Sequence, residues 1–377
     1  MTRAISELAD DLVRPAVRGL TPYEPGKPVE ELQRELGLER VVKLASNEGP
    51  WGPFPAAIEA IERSTGELNR YPDGGAYRLR AALAERHGVA FEQVAPGAGA
   101  DGVVDCLSQA LLDPGDEVVL GWPSFPSYPI DARKMGAEPV LVPLKEHRYD
   151  PSALLEAVGP RTKIVFLCHP NNPTSVAIPR RELDEFFARV PARVLTVLDE
   201  AYFEYVDDAD HGDWIEDYVK SGANVLVLRT FSKIYGLAGL RVGYGVGPAP
   251  IVSEIGKVRR AFDITTPAQE AALASLDSEQ EVSRRRIATR DSVRELVRIL
   301  RAHGFEPVET AAGNFVYIEV GEDARVLFDR LLHEGVIVRP LAGFGAPNAV
   351  RVTAGAADEL AFLDRALSAV VAGGTAR

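Results

Sequence analysis

A serine and a lysine stand side by side at 232–233, small residues follow, and an arginine arrives at 241, in TFSKIYGLAGLRVGYG (230–245). A lysine amine whose neighbours lower its pKa can form a Schiff base with an aldehyde. A hydroxyl and a guanidinium beside it can grip a phosphate, the arginine through two parallel N–H bonds. Alone, an S-K dipeptide is most often a solvated loop, so the rest of the chain decides. Three more segments carry matching chemistry: PSFPSY (123–128) with Phe125, HPNNPTS (169–175) with Asn172, and DEAYFEY (199–205) with Asp199 and Tyr202. A buried aspartate can keep a pyridine nitrogen protonated and turn the ring into an electron sink. Asn and Tyr can hydrogen-bond a ring phenolate, and an aromatic face can stack on the ring. Small residues opening a helix at Ala100–Asp101 leave N–H groups free for a phosphate. Together with Thr230, Ser232, Lys233 and Arg241, this set points to pyridoxal phosphate.

Such groups must be brought to one place. From about 75 to 250, short apolar runs alternate with amphipathic stretches. The runs EVVL (117–120), EPVLVPL (138–144), TKIVFLC (162–168), RVLTVLD (193–199), NVLVLR (224–229) and RVGYGVG (241–247) read as strands buried on both faces, as parallel strands are. Helical patterns at 77–87, 101–112, 151–158 and 180–189 lie between them, which predicts an α/β fold with a mostly parallel central sheet flanked by helices. Ligands of such sheets sit beyond the carboxyl ends of the strands. Asn172, Asp199, Tyr202, Ser232 and Lys233 all follow strands, so they converge on one rim. After Pro250 the texture changes to a charged, Ala-rich helical region reaching His303, then FEPVE, NFVYIEV, a helix at 323–333, VIVRP, AVRVTAG and a closing helix. This reads as a smaller α+β domain. The expected division is 1–42 as N-terminal arm and part of the small domain, 43–260 as the large domain and 261–377 as the small one.

Composition removes other classes. A net charge of −13 over 377 residues argues against a nucleic-acid surface. Two cysteines, Cys106 and Cys168, make no disulfide framework, and six histidines show no metal spacing. No apolar run approaches the roughly 18 residues of a membrane span, and the start lacks a leader's apolar core. A cytoplasmic protein without metal or membrane partners is expected. Residues 97–102 read GAGADG, a literal G-x-G-x-x-G. The dinucleotide fingerprint needs a strand just before it and an acid at the end of the following strand. FEQVAP (91–96) reads as a poor strand ending in proline, and Asp116 and Glu117 precede EVVL. The nicotinamide reading is set aside.

The chain resembles the fold-type I pyridoxal-phosphate aminotransferases and, within them, the histidinol-phosphate aminotransferase family. The likeness is carried by PYEPGKPVEELQRELGL (22–38), KLASNEGPWGP (43–53), RYPDGG (70–75), the segments quoted above, GNFVYIEV (313–320), VIVRPL (336–341) and VRVTAG (350–355). It implies that Lys233 holds the cofactor and shuttles protons, that Asp199 meets the ring nitrogen, and that Asn172 and Tyr202 meet the ring oxygen. It also implies that Tyr71 reaches the phosphate of a neighbouring subunit, making an obligate homodimer with shared active sites. Arg351 would clamp a substrate carboxylate or phosphate, helped by Arg339, Tyr23 and Asn47. The amino donor would be histidinol phosphate and the acceptor 2-oxoglutarate. An aromatic amino-acid aminotransferase, a decarboxylase of an amino-acid phosphate and a regulator built on the same domain stay open as alternatives. Three positions depart from the family pattern: Gly102 where D-E is usual, Ser175 in N-N-P-T-S, and Gly49 in N-E-G. The first two lie near the cofactor, the third nearer the substrate.

Overall fold

The computed structural model describes residues 12–206, 211–308 and 312–374. Its strands in chain order are β1 (Val42–Lys43), β2 (Val94–Gly97), β3 (Glu117–Trp122), β4 (Glu138–Pro143), β5 (Thr162–Cys168) and β6 (Leu195–Asp199). Then follow β7 (Val225–Thr230), β8 (Gly243–Val246), β9 (Phe315–Glu319), β10 (Val336–Ile337), β11 (Arg339–Leu341) and β12 (Ala346–Thr353). Seven of them form one sheet in the order β2-β8-β7-β6-β5-β3-β4. β3 to β7 pair in parallel, and β3, β5, β6 and β7 are largely buried on both faces because helices cover both, whereas β4 at the sheet edge exposes Glu138, Leu141 and Pro143, against the reading of EPVLVPL as buried on both faces.

Two further strands differ from expectation. β8 runs antiparallel to β7, although RVGYGVG reads like its parallel neighbours. A parallel return needs a crossover, usually a helix, whereas 231–242 holds only the short turn of 3₁₀ helix Ala238–Leu240. The reversal keeps Lys233 and Arg241 at the same rim. VAPG (94–97) is a strand after all, paired only with β8 at the sheet edge. An edge strand leaves one side unpaired, so Pro96 costs it no ladder bond.

A second, smaller body contains the antiparallel sheet β11-β12-β9 and the parallel pair β1-β10. Its core joins Val42 and Leu44 to Val316, Val350 and Val352, and to the helices Ala324–His333 and Ala357–Gly374. FEPVE contributes only a single bridge, Pro307 to Ile318, and its Glu309 lies outside the described residues. The proline-rich arm folds onto this body, where Leu32 packs with Ala45, Leu332 and Ile337. The large core continues past 260 through Ile264, Ala268, Ala271, Ala272 and Leu276. The 24-residue helix Glu279–Ala302 then serves both bodies. Arg285 near its start donates to Ile234 O and Gly52 O, while Leu296, Ile299 and Leu300 near its end sit in the small core. We therefore place the divide inside this helix.

Candidate active site

Parallel pairing in register aligns the strand ends, Cys168 opposite Asp199 and Asp199 opposite Leu228. The residues that follow each strand enclose a cavity of about 160 Å³. Every expected site residue except Tyr71 and Arg339 lines it. Arg339 stands just behind the wall, donating from Nη2 to the hydroxyl of the cavity residue Tyr23 at 2.8 Å. Tyr71 is on the outer surface. A larger hollow of about 850 Å³, lined by His169, Arg180, Trp214 and Arg286 among others, holds none of these residues.

Lys233 projects from the turn after β7, its bulk enclosed by protein and its tip toward the cavity. Its one hydrogen bond is long, Nζ to Ser46 O at 3.4 Å. Burial lowers its pKa to about 8, with Arg351 and then Arg241 adding to the fall and Glu48 opposing it. Of the two arginines, Arg351, from the smaller body, acts more strongly than Arg241. Asp199 is buried, which raises its pKa, and two donors pull it back. Tyr128 Oη donates to Oδ2 at 2.6 Å and Ala201 N to Oδ1 at 3.0 Å. Each carboxylate oxygen keeps a lone pair for a further donor. Tyr128 also lines the cavity, and sequence reasoning passed over it. It sits in PSFPSY, stacked on Phe166 at 4.3 Å, and the signal that could have found it is the rule that a buried tyrosine hydroxyl seeks a partner.

Two amides set the next ring of contacts. Arg351 Nη1 donates to Asn172 Oδ1, leaving the Asn172 amide hydrogens for another acceptor. Asn47 Nδ2 donates to Tyr202 Oη at 2.8 Å. Opposite them, the helix Gly99–Leu111 begins without a side-chain cap at Ala98, so its first N–H groups stay available. Thr230 Oγ1 and Ser232 Oγ are 3.0 Å apart, and Arg241 Nη1 is 3.4 Å from Ser232 Oγ. Missing side chains make this cradle possible. A Cβ on Gly243 would lie 2.4 Å from Ala100 N, and one on Gly99 would lie 2.7 Å from Arg241 Nη2.

The charges are unbalanced. Among the described residues, no carboxylate lies within ion-pair distance of Lys233, Arg241, Arg339 or Arg351, whereas Arg40, Arg78, Arg148, Arg161, Arg180, Arg284 and Arg298 are each paired with one. Arg339 and Arg351 are 7% and 3% exposed, face each other across β11 and β12, and each has a buried Nε without a partner. Burying unpaired cations is costly, so such a cluster is built for anionic ligands. One anion fits between Arg241, Ser232 and the helix start, another before Arg351 and Arg339. An amine of lowered pKa, a buried carboxylate, an aromatic wall at Phe125 and this phosphate cradle match the donor set that pyridoxal phosphate requires. Among the described residues no cluster of three or more His, Cys, Asp or Glu could hold a metal.

The departures are visible too. Ser175 has φ 65, and its Oγ accepts from Gly313 N at 2.9 Å, a contact that glycine could not make. A side chain at Gly102 would press on Ala98 at 3.2 Å, and one at Gly49 would meet only ordinary contacts.

Residues 39–370 match the family model for aminotransferase class I and II. A histidinol-phosphate aminotransferase of Moorella thermoacetica is 43% identical over 360 residues, covering 95% of this chain and 93% of the relative. The crystal structure of histidinol-phosphate aminotransferase from Sinorhizobium meliloti in complex with pyridoxal-5'-phosphate superposes with a TM-score of 0.88 at 29% identity, over 96% of this chain and 98% of that one. Aspartate aminotransferase from Thermus thermophilus with maleate gives a TM-score of 0.84 at 25% identity, over 95% and 99%.

Proposed function

Because the chain belongs to the class I and II aminotransferases, we propose that it is a pyridoxal-phosphate-dependent transaminase of histidine biosynthesis, moving the amino group of histidinol phosphate to 2-oxoglutarate. The observation that carries the substrate is the buried pair Arg339 and Arg351, both without a carboxylate partner among the described residues. Two guanidiniums at one end of the cavity suit a phosphate dianion or the far carboxylate of 2-oxoglutarate, each through bidentate bonds. Arg351 remains charged near neutrality even though burial brings its pKa down to about 10.

When bound, pyridoxal phosphate supplies an aldehyde that captures the amine and a protonated ring that draws electrons from the α-carbon. The chain does the rest. Asp199 would meet the ring nitrogen and hold its proton, with Tyr128 and Ala201 favouring the ionised carboxylate and fixing its direction. Phe125 would stack on the ring, while Ser232, Thr230, Arg241 and the N–H groups at Ala100–Asp101 would hold the phosphate. Asn172 Nδ2 and Tyr202 Oη would meet the ring oxygen. Lys233 Nζ, with a pKa of about 8, loses its proton close to working pH and so can take one from the substrate α-carbon and return it. Tyr23 and Asn47 line the substrate end.

We place the chain in a homodimer with shared sites. Tyr71 is 82% exposed and stacks on Phe262, itself 44% exposed, at 4.6 Å. A residue lent to a neighbour's phosphate would stand outside its own cavity in this way. Two unbridged, buried thiols accord with a cytoplasmic enzyme.

The test is a half-reaction followed by absorbance. The cofactor band of the loaded enzyme should bleach with L-histidinol phosphate alone and return on addition of 2-oxoglutarate. Faster bleaching with L-phenylalanine would overturn the substrate and leave an aromatic aminotransferase.

A further inference from the structure

The hydroxyl of Tyr202 has one hydrogen, and its direction depends on a neighbour. Asn47 Nδ2 donates to Tyr202 Oη at 2.8 Å. A primary amide can turn over and present its oxygen instead, which would draw the tyrosine hydrogen toward itself and away from the cavity. What holds the Asn47 amide in one orientation therefore decides where Tyr202 donates.

Thr353, the last residue of β12, does so twice. Its Oγ1 accepts from the Asn47 backbone N–H at 3.0 Å, and it lies 3.1 Å from Asn47 Oδ1. Two oxygens that close need a hydrogen between them, and the amide oxygen has none. The threonine hydroxyl supplies it; were the amide turned over, that buried hydrogen would have no other acceptor among the described residues. Asn47 Oδ1 is thereby fixed toward Thr353 and Nδ2 toward Tyr202. Asn314 Nδ2 pins the same loop through Asn47 O at 3.0 Å. Asn47 and Thr353 are 1% and 2% exposed, so water offers no substitute.

We infer that Thr353 is a positioning residue that locks the Asn47 amide and so turns the Tyr202 hydroxyl hydrogen toward the ring oxygen of the bound cofactor. This rests on the pyridoxal-phosphate reading given above. Burial keeps Tyr202 protonated, with its pKa well above the usual phenol value. The charged groups facing it are Arg351, Asp199 and Lys233, whose Nζ is 5.7 Å from the ring centre. Thr353 belongs to the smaller body and Tyr202 to the larger, so the device also ties the two together at the site.

Thr353→Val keeps the shape and removes the hydroxyl. A hydrogen bond given to the ring oxygen stabilises its anion and makes the nitrogen joining Lys233 to the cofactor easier to deprotonate. Weakening that bond should raise the midpoint of the holoenzyme's pH-dependent absorbance change by about half to one unit, a roughly 3- to 10-fold change in proton affinity. Thr353→Ser should keep the native midpoint. In a Tyr202→Phe background, Thr353→Val should add no shift. If Thr353→Val fails to fold, Thr353→Ala removes the same hydroxyl and should give the same rise. An unmoved midpoint in folded Thr353→Val, or an equal rise without the Tyr202 hydroxyl, would overturn the inference. A wild-type protein that develops no cofactor band would instead sink the reading beneath it, and this inference with it.

Discussion

At Lys233 the environment works against charge. The amine is buried beside Arg351 and Arg241, and its pKa falls from 10.5 to about 8. That shift has a stability consequence in the cofactor-free protein. Below pH 8 the amine is protonated in both folded and unfolded chains, and the folded state bears the full cost of burying it. Between about 8 and 10.5 the unfolded chain binds more protons, so stability rises with pH. Above 10.5 the penalty is gone. Lys233→Met should therefore stabilise the apoprotein at pH 7 by about 1–3 kcal/mol, and urea unfolding should show that gain fading between pH 8 and 10.5. A gain that does not vary with pH would mean better packing, not relief of charge. The same residue accounts for the chemistry, since a group that is uncomfortable as a cation is one that readily gives up its proton to become a base.

Among the elements, the loop after β5 shows how a local departure acquires a structural partner. Ser175 adopts φ 65, a conformation that costs a non-glycine residue about 1–2 kcal/mol. In return its Oγ accepts from Gly313 N at 2.9 Å, and its carbonyl accepts from Ala312 N at 3.0 Å. The side-chain bond ties the larger body to the entry of β9. Ser175→Ala would keep the strain and lose that bond, destabilising the fold by about 1–2 kcal/mol. Ser175→Gly loses the bond but relieves the strain, so it should lie between wild type and alanine in chemical denaturation. Glycine more damaging than alanine would disprove this balance. β8 carries the same lesson. Its sequence has the buried, β-branched look of a parallel strand, and only the compact return through Gly236 and the Ala238–Leu240 turn reverses it.

For the whole molecule, the exposed stack of Tyr71 on Phe262 is the feature a single chain leaves unexplained. In a shared-site dimer Tyr71 serves the partner's phosphate. Sedimentation should then give twice the 40.8 kDa of one chain. Tyr71→Ala should bind pyridoxal phosphate about tenfold more weakly, as expected for one lost hydrogen bond to an anion. At a pyridoxal phosphate concentration too low to load Tyr71→Ala by itself, mixing refolded Tyr71→Ala with Lys233→Ala should give more activity than either alone, because one site of the hybrid is intact. A monomer, or a mixture without recovery, would count against the shared site. No helix among the described residues is long and apolar enough to cross a membrane.

The amino-acid order by itself determined which groups follow which strand. Buried apolar runs with short intervening helices dictate an open sheet, and an open sheet gathers Asn172, Asp199, Tyr202, Ser232 and Lys233 at one rim whatever the details of packing. That is why the cofactor chemistry was legible. The partners of those groups were not. Asn47 reaches Tyr202 across 155 residues and Arg351 reaches Asn172 across 179, contacts that exist only once the smaller body is seated on the larger. Tyr128 beneath Asp199, Thr353 behind Asn47 and the continuation of the large core to Leu276 depend in the same way on packing. The positions of most strands along the chain follow from local periodicity, but the direction of a hydroxyl hydrogen depends on a neighbour's position to within a few tenths of an ångström, and only the tertiary structure sets that.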